Sequence, residues 1–272
     1  YRNIWANRYT VASGWGTAQL IEMDDSGDAL IPQVGVDSNG NATVVWMQSD
    51  GSRFNIWANR YVAGIGWETA QLIETNNGNA MNPKVAVDPP GNAIAIWVQS
   101  DGIVNAVWTN RYIPGVGWGT AQILENAGDS ELATVAMDGI GNAIAAWNQW
   151  DGTRFDIWAT QYAAGSGWGT LKRIETNNGS AGAPQIAMNT DGNAVVSWHQ
   201  SDGILNHILS NQYRVGAGWG TAQQVDTNGT SDAYFPQVGI DSNGNAIVGW
   251  YANDGSQWNT WVNMFRFGIG WD

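Results

Sequence analysis

The sequence predicts an all-β protein: a five-bladed β-propeller built from four-stranded antiparallel blades. Three observations carry that reading. They are a repeat of about 51 residues, apolar segments with a period of two, and a glycine turn at the same place in each repeat. Helical signals are missing throughout.

Gly-Trp recurs at Trp15, Trp67, Trp118, Trp168, Trp219 and Trp271, which spreads 256 residues over five intervals. A first segment reads PQVGVD (32–37), PKVAVD (83–88), ATVAMD (133–138), PQIAMN (184–189) and PQVGID (236–241). The turn behind it places Gly40, Gly91, Gly141, Gly192 and Gly244 alike, each followed by Asn-Ala. A tight hairpin needs positive φ there, and glycine supplies it without a Cβ clash. The second segment ends in Trp46, Trp97, Trp147, Trp198 and Trp250. In its second copy Ala93, Ala95 and Trp97 share one face, while Ile94, Ile96 and Val98 share the other. Both faces are apolar, so both are expected to be covered, as in a blade between neighbours. A two-sheet sandwich would leave one face polar. The third segment resembles IWANRY and carries Trp5, Trp57, Trp108, Trp158, Leu209 and Trp261, each four residues before Tyr or Phe. The fourth is AQLIE-like, at 18–22, 70–74, 121–125, 171–175 and 222–226. Four short strands per repeat make one blade.

The third segment occurs six times and the others five. The chain starts in the middle of a repeat, so 3–9 and 17–22 lack preceding partners, which 236–250 supplies at the far end. The expected result is one domain over residues 1–272, its ring closed by pairing of the N- and C-terminal segments. Residues 3–9 and 259–265 then compete for one slot. Either one copy is displaced or the sequence is cut from a longer array. A displaced segment, 1–9 or 259–265, offers strand exchange between chains.

The hairpins VDSNGNATVVW (36–46) and IDSNGNAIVGW (240–250) resemble the first hairpin of NHL-type propeller repeats. Their Asp-x-x-Gly core is similar to the Asp-box turn of sialidase-like propellers. More broadly, the chain resembles tandem-repeat propeller segments of secreted bacterial surface proteins, which implies an extracellular or cell-surface location. NHL domains mostly imply protein or RNA binding. The sialidase arginine triad and tyrosine nucleophile have no identifiable counterparts here.

Composition narrows the partners. With 24 Asp+Glu against 11 Lys+Arg, the net charge is −13, which argues against a nucleic-acid partner. No apolar run approaches the roughly 18 residues of a membrane helix, so no membrane insertion is expected. The absence of cysteine excludes disulfides, thiolate nucleophiles and Cys-bound zinc. The first residue is Tyr1, with no basic-then-apolar leader. Any signal peptide is expected to have been removed or never to have been part of this sequence.

Up-and-down topology puts the second and fourth connections of each blade on one rim. The second carries Asp50, Asp101, Asp151, Asp202 and Asp254; the fourth carries Asp24, Asp25, Asp28, Asp129, Glu131 and Asp232. Arg53 and Arg154 are the loop bases beside them, so the rim is expected to be negative. Turn chemistry accounts for most of these acids, because Asp-Gly is a favoured turn pair. A calcium site at Asp24, Asp25 and Asp28 is a weaker reading, and no other cofactor is expected. A catalytic pair needs carboxylates in unlike environments, and near-equivalent blades work against that. His199 and His207 occur in one repeat only and read as drifted positions.

Sixteen of the eighteen tryptophans recur at three repeat positions, which assigns them to packing. Trp150 and Trp258 fall outside the pattern, near the acidic loops. An indole beside hydrogen-bonding Asp and Arg suits a sugar ring, so Trp150 with Asp151 and Arg154 is the best single-blade site. The expected ligand surface therefore comprises Trp150, Asp151, Arg154, Trp258, Arg53, Asp50, Asp101, Asp202 and Asp254. The first functional expectation is a non-catalytic, lectin- or adhesin-like module that presents loops to a glycan or protein ligand. Its alternatives are a glycosidase-like enzyme on the same fold and an architectural surface-layer or filament component.

Overall fold

A computed structural model describes residues 1–24, 26–125, 127–227 and 231–272. They form strands and turns, with no helix among them. The repeated four-stranded antiparallel sheets are those of a β-propeller. In the first sheet Ala29–Val36, Ala42–Ser49, Phe54–Val62 and Gly66–Trp67 pair in that order. The second sheet follows with Ala80–Val87, Ala93–Ser100, Asn105–Ile113 and Gly117–Trp118. Ser130–Met137, Ala143–Trp150, Phe155–Ala163 and Gly167–Trp168 make the third. Ala181–Met188, Ala194–Ser201, Asn206–Arg214 and Gly218–Trp219 make the fourth. The fifth contains Ala233–Ile240, Ala246–Asn253, Trp258–Arg266 and Gly270–Trp271.

The chain divides into two compact units. One is Tyr1–Ile103 with Trp108–Ile123, and the other is Val104–Val107 with Leu124–Asp272. The second unit holds the third, fourth and fifth sheets. Their cores lie between successive sheets. Ile144, Ala146, Ile157 and Ala159 of the third sheet pack against Ala194, Val196, Trp198 and Leu209 of the fourth. Ile208 and Val225 pack in turn against Val248 and Trp250 of the fifth. In the first unit Ile4 and Ile21 pack on Val44 and Trp46. Second-strand residues Ala93 to Val98 are all at most 3 % exposed, as expected for a strand covered on both faces.

Three expectations need correction. The fourth strand is broken: the third strand pairs with Gly66–Trp67 at one end and with Gln71–Leu72 at the other. At the break, third-strand asparagine side chains cap the outer strand and reach across to the fourth segment of the preceding repeat. Asn110 Nδ2 donates to Gly119 O at 3.1 Å and to Ile73 O at 2.8 Å, and Asn211 and Asn263 act alike. The terminal third segments do not compete for one slot. Trp5–Ala6 pairs with Gln19–Leu20 and Tyr9–Thr10 with Gly14–Trp15, whereas Trp258–Arg266 pairs inside the fifth sheet. Among the described residues each copy has strand partners of its own. Finally, the repeat tryptophans are not all core. Trp46, Trp97, Trp147 and Trp198 are fully buried, but Trp5 and Trp15 are 60 % and 69 % exposed.

A hydrogen-bond relay ties successive repeats together. Trp97 Nε1 donates to Gln99 Oε1 at 2.9 Å, and Gln99 Nε2 donates to Glu74 Oε2 at 2.9 Å. Trp46–Gln48–Glu22, Trp147–Gln149–Glu125 and Trp198–Gln200–Glu175 repeat it. Each glutamate ends the fourth segment of one repeat and lies buried under the next. The relay thus gives a buried indole, a buried amide and one oxygen of a buried carboxylate their partners together, while Oε1 of Glu22, Glu74 and Glu175 has no hydrogen bond among the described residues.

Candidate functional site

The second connection of a repeat meets the fourth connection of the repeat before it. Ser49 N donates to Asp28 O at 3.0 Å, Trp150 N to Asp129 O at 2.7 Å, and Ser201 N to Ser180 O at 3.0 Å. This is the acidic end that the topology predicts. The approach is close enough to require glycine: a Cβ on Gly179 would lie 1.6 Å from Ser201 O.

The aspartates of the second connection build their own turns. Asp50 Oδ1 accepts from Ser52 N at 2.8 Å and Arg53 N at 3.0 Å, and Asp254 Oδ1 accepts from Ser256 and Gln257 in the same way. Asp101 Oδ1 accepts from Ile103 N at 2.9 Å. Asp202 accepts from Leu205 and Ile204 N, and these bonds lower its pKa. The hydroxyls of Ser52 and Ser256 hold Asp50 and Asp254 well below the carboxylate range. The bond from the Thr153 hydroxyl, with the backbone bonds beside it, holds Asp151 down to about 2.

Trp150, Asp151 and Arg154 do lie together, but the polar pair is already occupied. Arg154 Nε donates to Asp156 Oδ1 at 2.8 Å and its Nη1 to Asn178 O at 3.0 Å. Trp150 is 39 % exposed, edge-on to Phe155 with centroids 5.2 Å apart. Arg53 is likewise spent on Asn55 at 2.8 Å and Asn77 at 2.9 Å. Asp24 accepts from Ser26 N and Asp28 from Arg2 N, while Asp25 lies outside the described residues. Among the described residues no group of three or more His, Asp or Glu is placed to hold a metal ion.

A different set of positions stands out. The first strand of each sheet begins upstream of the segment read from sequence and breaks register once. The breaks lie between Leu30/Gln33, Met81/Lys84, Glu131/Thr134, Gly182/Gln185 and Tyr234/Gln237. At each bulge a residue other than glycine takes positive φ: Ile31, Asn82, Leu132, Ala183 and Phe235, at 47° to 53°. Non-glycine residues pay about 1–3 kcal/mol for such a backbone, and it recurs at ligand-facing sites. The bulge is invariant, yet its side chains differ in every repeat.

In the second unit these positions carry chemistry. Glu131 is exposed on the third sheet, where Asn148 Nδ2 donates to its Oε2 at 3.4 Å. The earlier placement of Glu131 in a connection is therefore corrected: it sits on the bulge. On the fourth sheet Gly182 faces His199 across the ladder. A Cβ on Gly182 would come within 3.1 Å of His199 Nε2, so glycine makes room for the imidazole. Burial lowers the His199 pKa, and its Nδ1 is buried without a partner. On the fifth sheet Tyr234 lies edge-on to His199 at 5.3 Å and tilted against Trp258 at 6.2 Å. Asn206 Nδ2 donates to Tyr234 Oη at 2.8 Å and to Asp232 Oδ1 at 3.1 Å. Phe235 and Trp258, 60 % and 57 % exposed, complete an open aromatic surface. A cavity of about 380 Å³ lies apart from this cluster, walled by Trp219, Phe265 and glycine backbone.

Of the sequence candidates, Trp258 is thus in the cluster, and the turn aspartates are not part of it. His199, Tyr234 and Phe235 were missed. The available signal was the pair of residues before each Pro-Gln-Val-like segment, which changes in every repeat while its flanks stay nearly constant.

No family model and no curated protein sequence matches the chain. Solved structures do. An ulvan lyase of a polysaccharide lyase family matches with a TM-score of 0.61 at 11 % identity, over 88 % of this chain and 69 % of its own. An α-L-arabinanase from Penicillium chrysogenum, complexed with arabinobiose, matches with a TM-score of 0.55 at 13 % identity, over 95 % and 84 %. An α-L-arabinofuranosidase from Fusarium graminearum, in complex with an iminosugar inhibitor, gives 0.56 at 12 %, over 96 % and 85 %. At these identities the likeness shows the fold. It nevertheless corrects the expectation of a non-catalytic module: the similar folds are those of glycan-cleaving enzymes, which favours the glycosidase-like alternative.

Proposed function

We propose that this chain is a polysaccharide-cleaving enzyme whose substrate lies along the bulged first strands of the third to fifth sheets. One observation carries the reading: repeat-to-repeat variation falls on a strained, invariant bulge, which puts Glu131 on the third sheet and Tyr234 on the fifth, with His199 and Trp258 packed against Tyr234. The objection from near-equivalent blades falls away at these positions. Glu131 is an exposed carboxylate suited to act as base or nucleophile. His199, whose pKa burial lowers, and the Tyr234 hydroxyl are suited to proton transfer. Trp258 and Phe235 offer apolar faces to sugar C–H groups. A polymer substrate places this activity outside the cell. The Asp-x-x-Gly hairpins, in which Asp37 Oδ1 accepts from Asn39 and Asn41 N, support kinship with NHL-type or Asp-box blades.

Release of reducing ends from a panel of plant and algal polysaccharides tests the reading. Glu131→Gln and Tyr234→Phe should each cut the rate by roughly 10²-fold or more without a change in Tm. Wild-type rates in both variants would refute it.

A specific observation also supports self-association through 259–265. On the fifth sheet Ile247, Tyr251, Val262 and Met264 are 45–62 % exposed. Their counterparts Val195, Ser210 and Gln212 on the fourth sheet are buried or half-buried.

A further inference from the structure

We infer that the substrate of this site is an uncharged polysaccharide, an inference that rests on the proposed glycan-cleaving reading. Binding a uronate, sulfate or sialate needs a free guanidinium or ammonium that can pair with the anion. Among the described residues, the basic side chains toward this end of the second unit are Arg154, Lys172, Arg173 and His207; Arg154, Arg173 and His207 are committed to carboxylates, and Lys172 stands exposed on the short outer strand Lys172–Arg173. Arg154 bonds Asp156 and Asn178. Arg173 lies 3.3 Å from Asp156 and 3.4 Å from Glu175. Arg154 lies in the second connection of the third sheet and Arg173 on its short outer strand. The carboxylates of the same end outnumber them, and those of Asp151, Asp202 and Asp254 are stabilised in the ionised form by their turns.

The bulge itself offers neutral groups. Beside the Glu131 carboxylate, Asn148, Asn206 and the Tyr234 hydroxyl donate or accept hydrogen bonds, burial disfavours the charged form of His199, and Trp258 and Phe235 present rings. That combination matches a sugar with hydroxyl edges and apolar C–H faces. A polyanion would instead meet a surplus of carboxylates over cations.

The test uses the full chain and one polymer backbone in two charge states: polygalacturonate and its carboxyl-reduced, uncharged form. Product release is followed by mass spectrometry, and binding by retardation in polymer-containing gels. The uncharged form should be cut or bound at least roughly tenfold better. Asp254→Asn, which can keep the same turn, should narrow the gap without altering work on the uncharged form. Equal or better handling of the anionic form overturns this inference, while cleavage sensitive to Glu131→Gln would leave the enzymatic reading intact. If neither polymer is cut, gel retardation still decides the charge preference and the enzymatic reading is the one that fails. Retention of neither polymer overturns the inference as well.

Discussion

His207 Nδ1 lies 3.0 Å from Asp226 Oδ2, at the junction where Ala252 stands in place of the relay glutamine. In the preceding repeats Gln48, Gln99, Gln149 and Gln200 donate to the buried acid. Here the acid is bonded from its own sheet, by His207 and by Ile208 N at 2.9 Å. Asp202 takes the other ring nitrogen at 3.2 Å. The pair of sequence changes is therefore compensatory, and it installs a titratable group where the other junctions have an amide.

Burial alone would lower the His207 pKa, but the hydrogen bonds and charges of Asp226 and Asp202 outweigh it, and the net shift is upward. A folded-state pKa above the unfolded value of about 6.5 gives stability that is complete below pH 6.5 and lost as pH rises through the folded value. Thermal melts from pH 5 to 9 should show Tm falling over that window. His207→Gln should flatten the fall, and an unchanged profile would count against the assignment.

Removing a relay amide should be costly, because two buried partners lose their bonds together. Gln200→Ala strands Trp198 Nε1 and Glu175 and should cost about 2–4 kcal/mol in denaturant unfolding. The double variant with Glu175→Ala should cost clearly less than the sum of the two singles. Strict additivity would show that the relay is not a unit.

Ile31 is β-branched and sits at φ 53°, a conformation that Asn82 occupies in the next repeat. Ile31→Asn should stabilise the chain by about 1 kcal/mol, or roughly 2–4 °C in Tm. A lower Tm would mean that the side chain contributes more packing than its exposure suggests.

The two unpaired-repeat tryptophans should separate. Trp258→Ala should raise KM roughly tenfold with less effect on kcat, since it removes stacking surface. Trp150→Ala should change either constant little, because its ring packs on Phe155 and its polar neighbours are occupied. Equal effects would move the binding surface toward the third sheet.

Association should depend on the exposed face of the fifth sheet. If Val262 and Met264 mediate it, light scattering will show mass rising with concentration, and Val262→Glu will abolish the rise. A wild-type chain that stays monomeric removes that reading.

The period-two segments, the glycine turns and the second-strand tryptophans were legible because each states its physical cause in local sequence. The bulge was not. One extra residue shifts which face a side chain occupies, so a period-two reading stops at Pro32 and its counterparts and treats 30–31 as loop. The split outer strand was hidden as well, because the side chains of Asn110 and Asn211 hold the break by bonding Gly119 O and Gly220 O and reaching Ile73 O and Ile174 O of the preceding repeat, a tertiary contact that local sequence does not announce. His199 reads as drift until Gly182 is seen to make space for it. The acids of the second connection, conspicuous in sequence, turned out to be the best-explained turns in the molecule.

A bulge that holds its shape whatever side chain it carries separates scaffold from specificity. Duplication can copy a repeat whole, and later substitution at two residues can give that copy a new role without disturbing its relay or its hairpin. The same separation is available to an engineer: randomising 30–31, 81–82, 131–132 and 234–235 would test whether this pair sets recognition, while Gly182 and the buried Ala183 are kept because a Cβ on Gly182 would crowd His199.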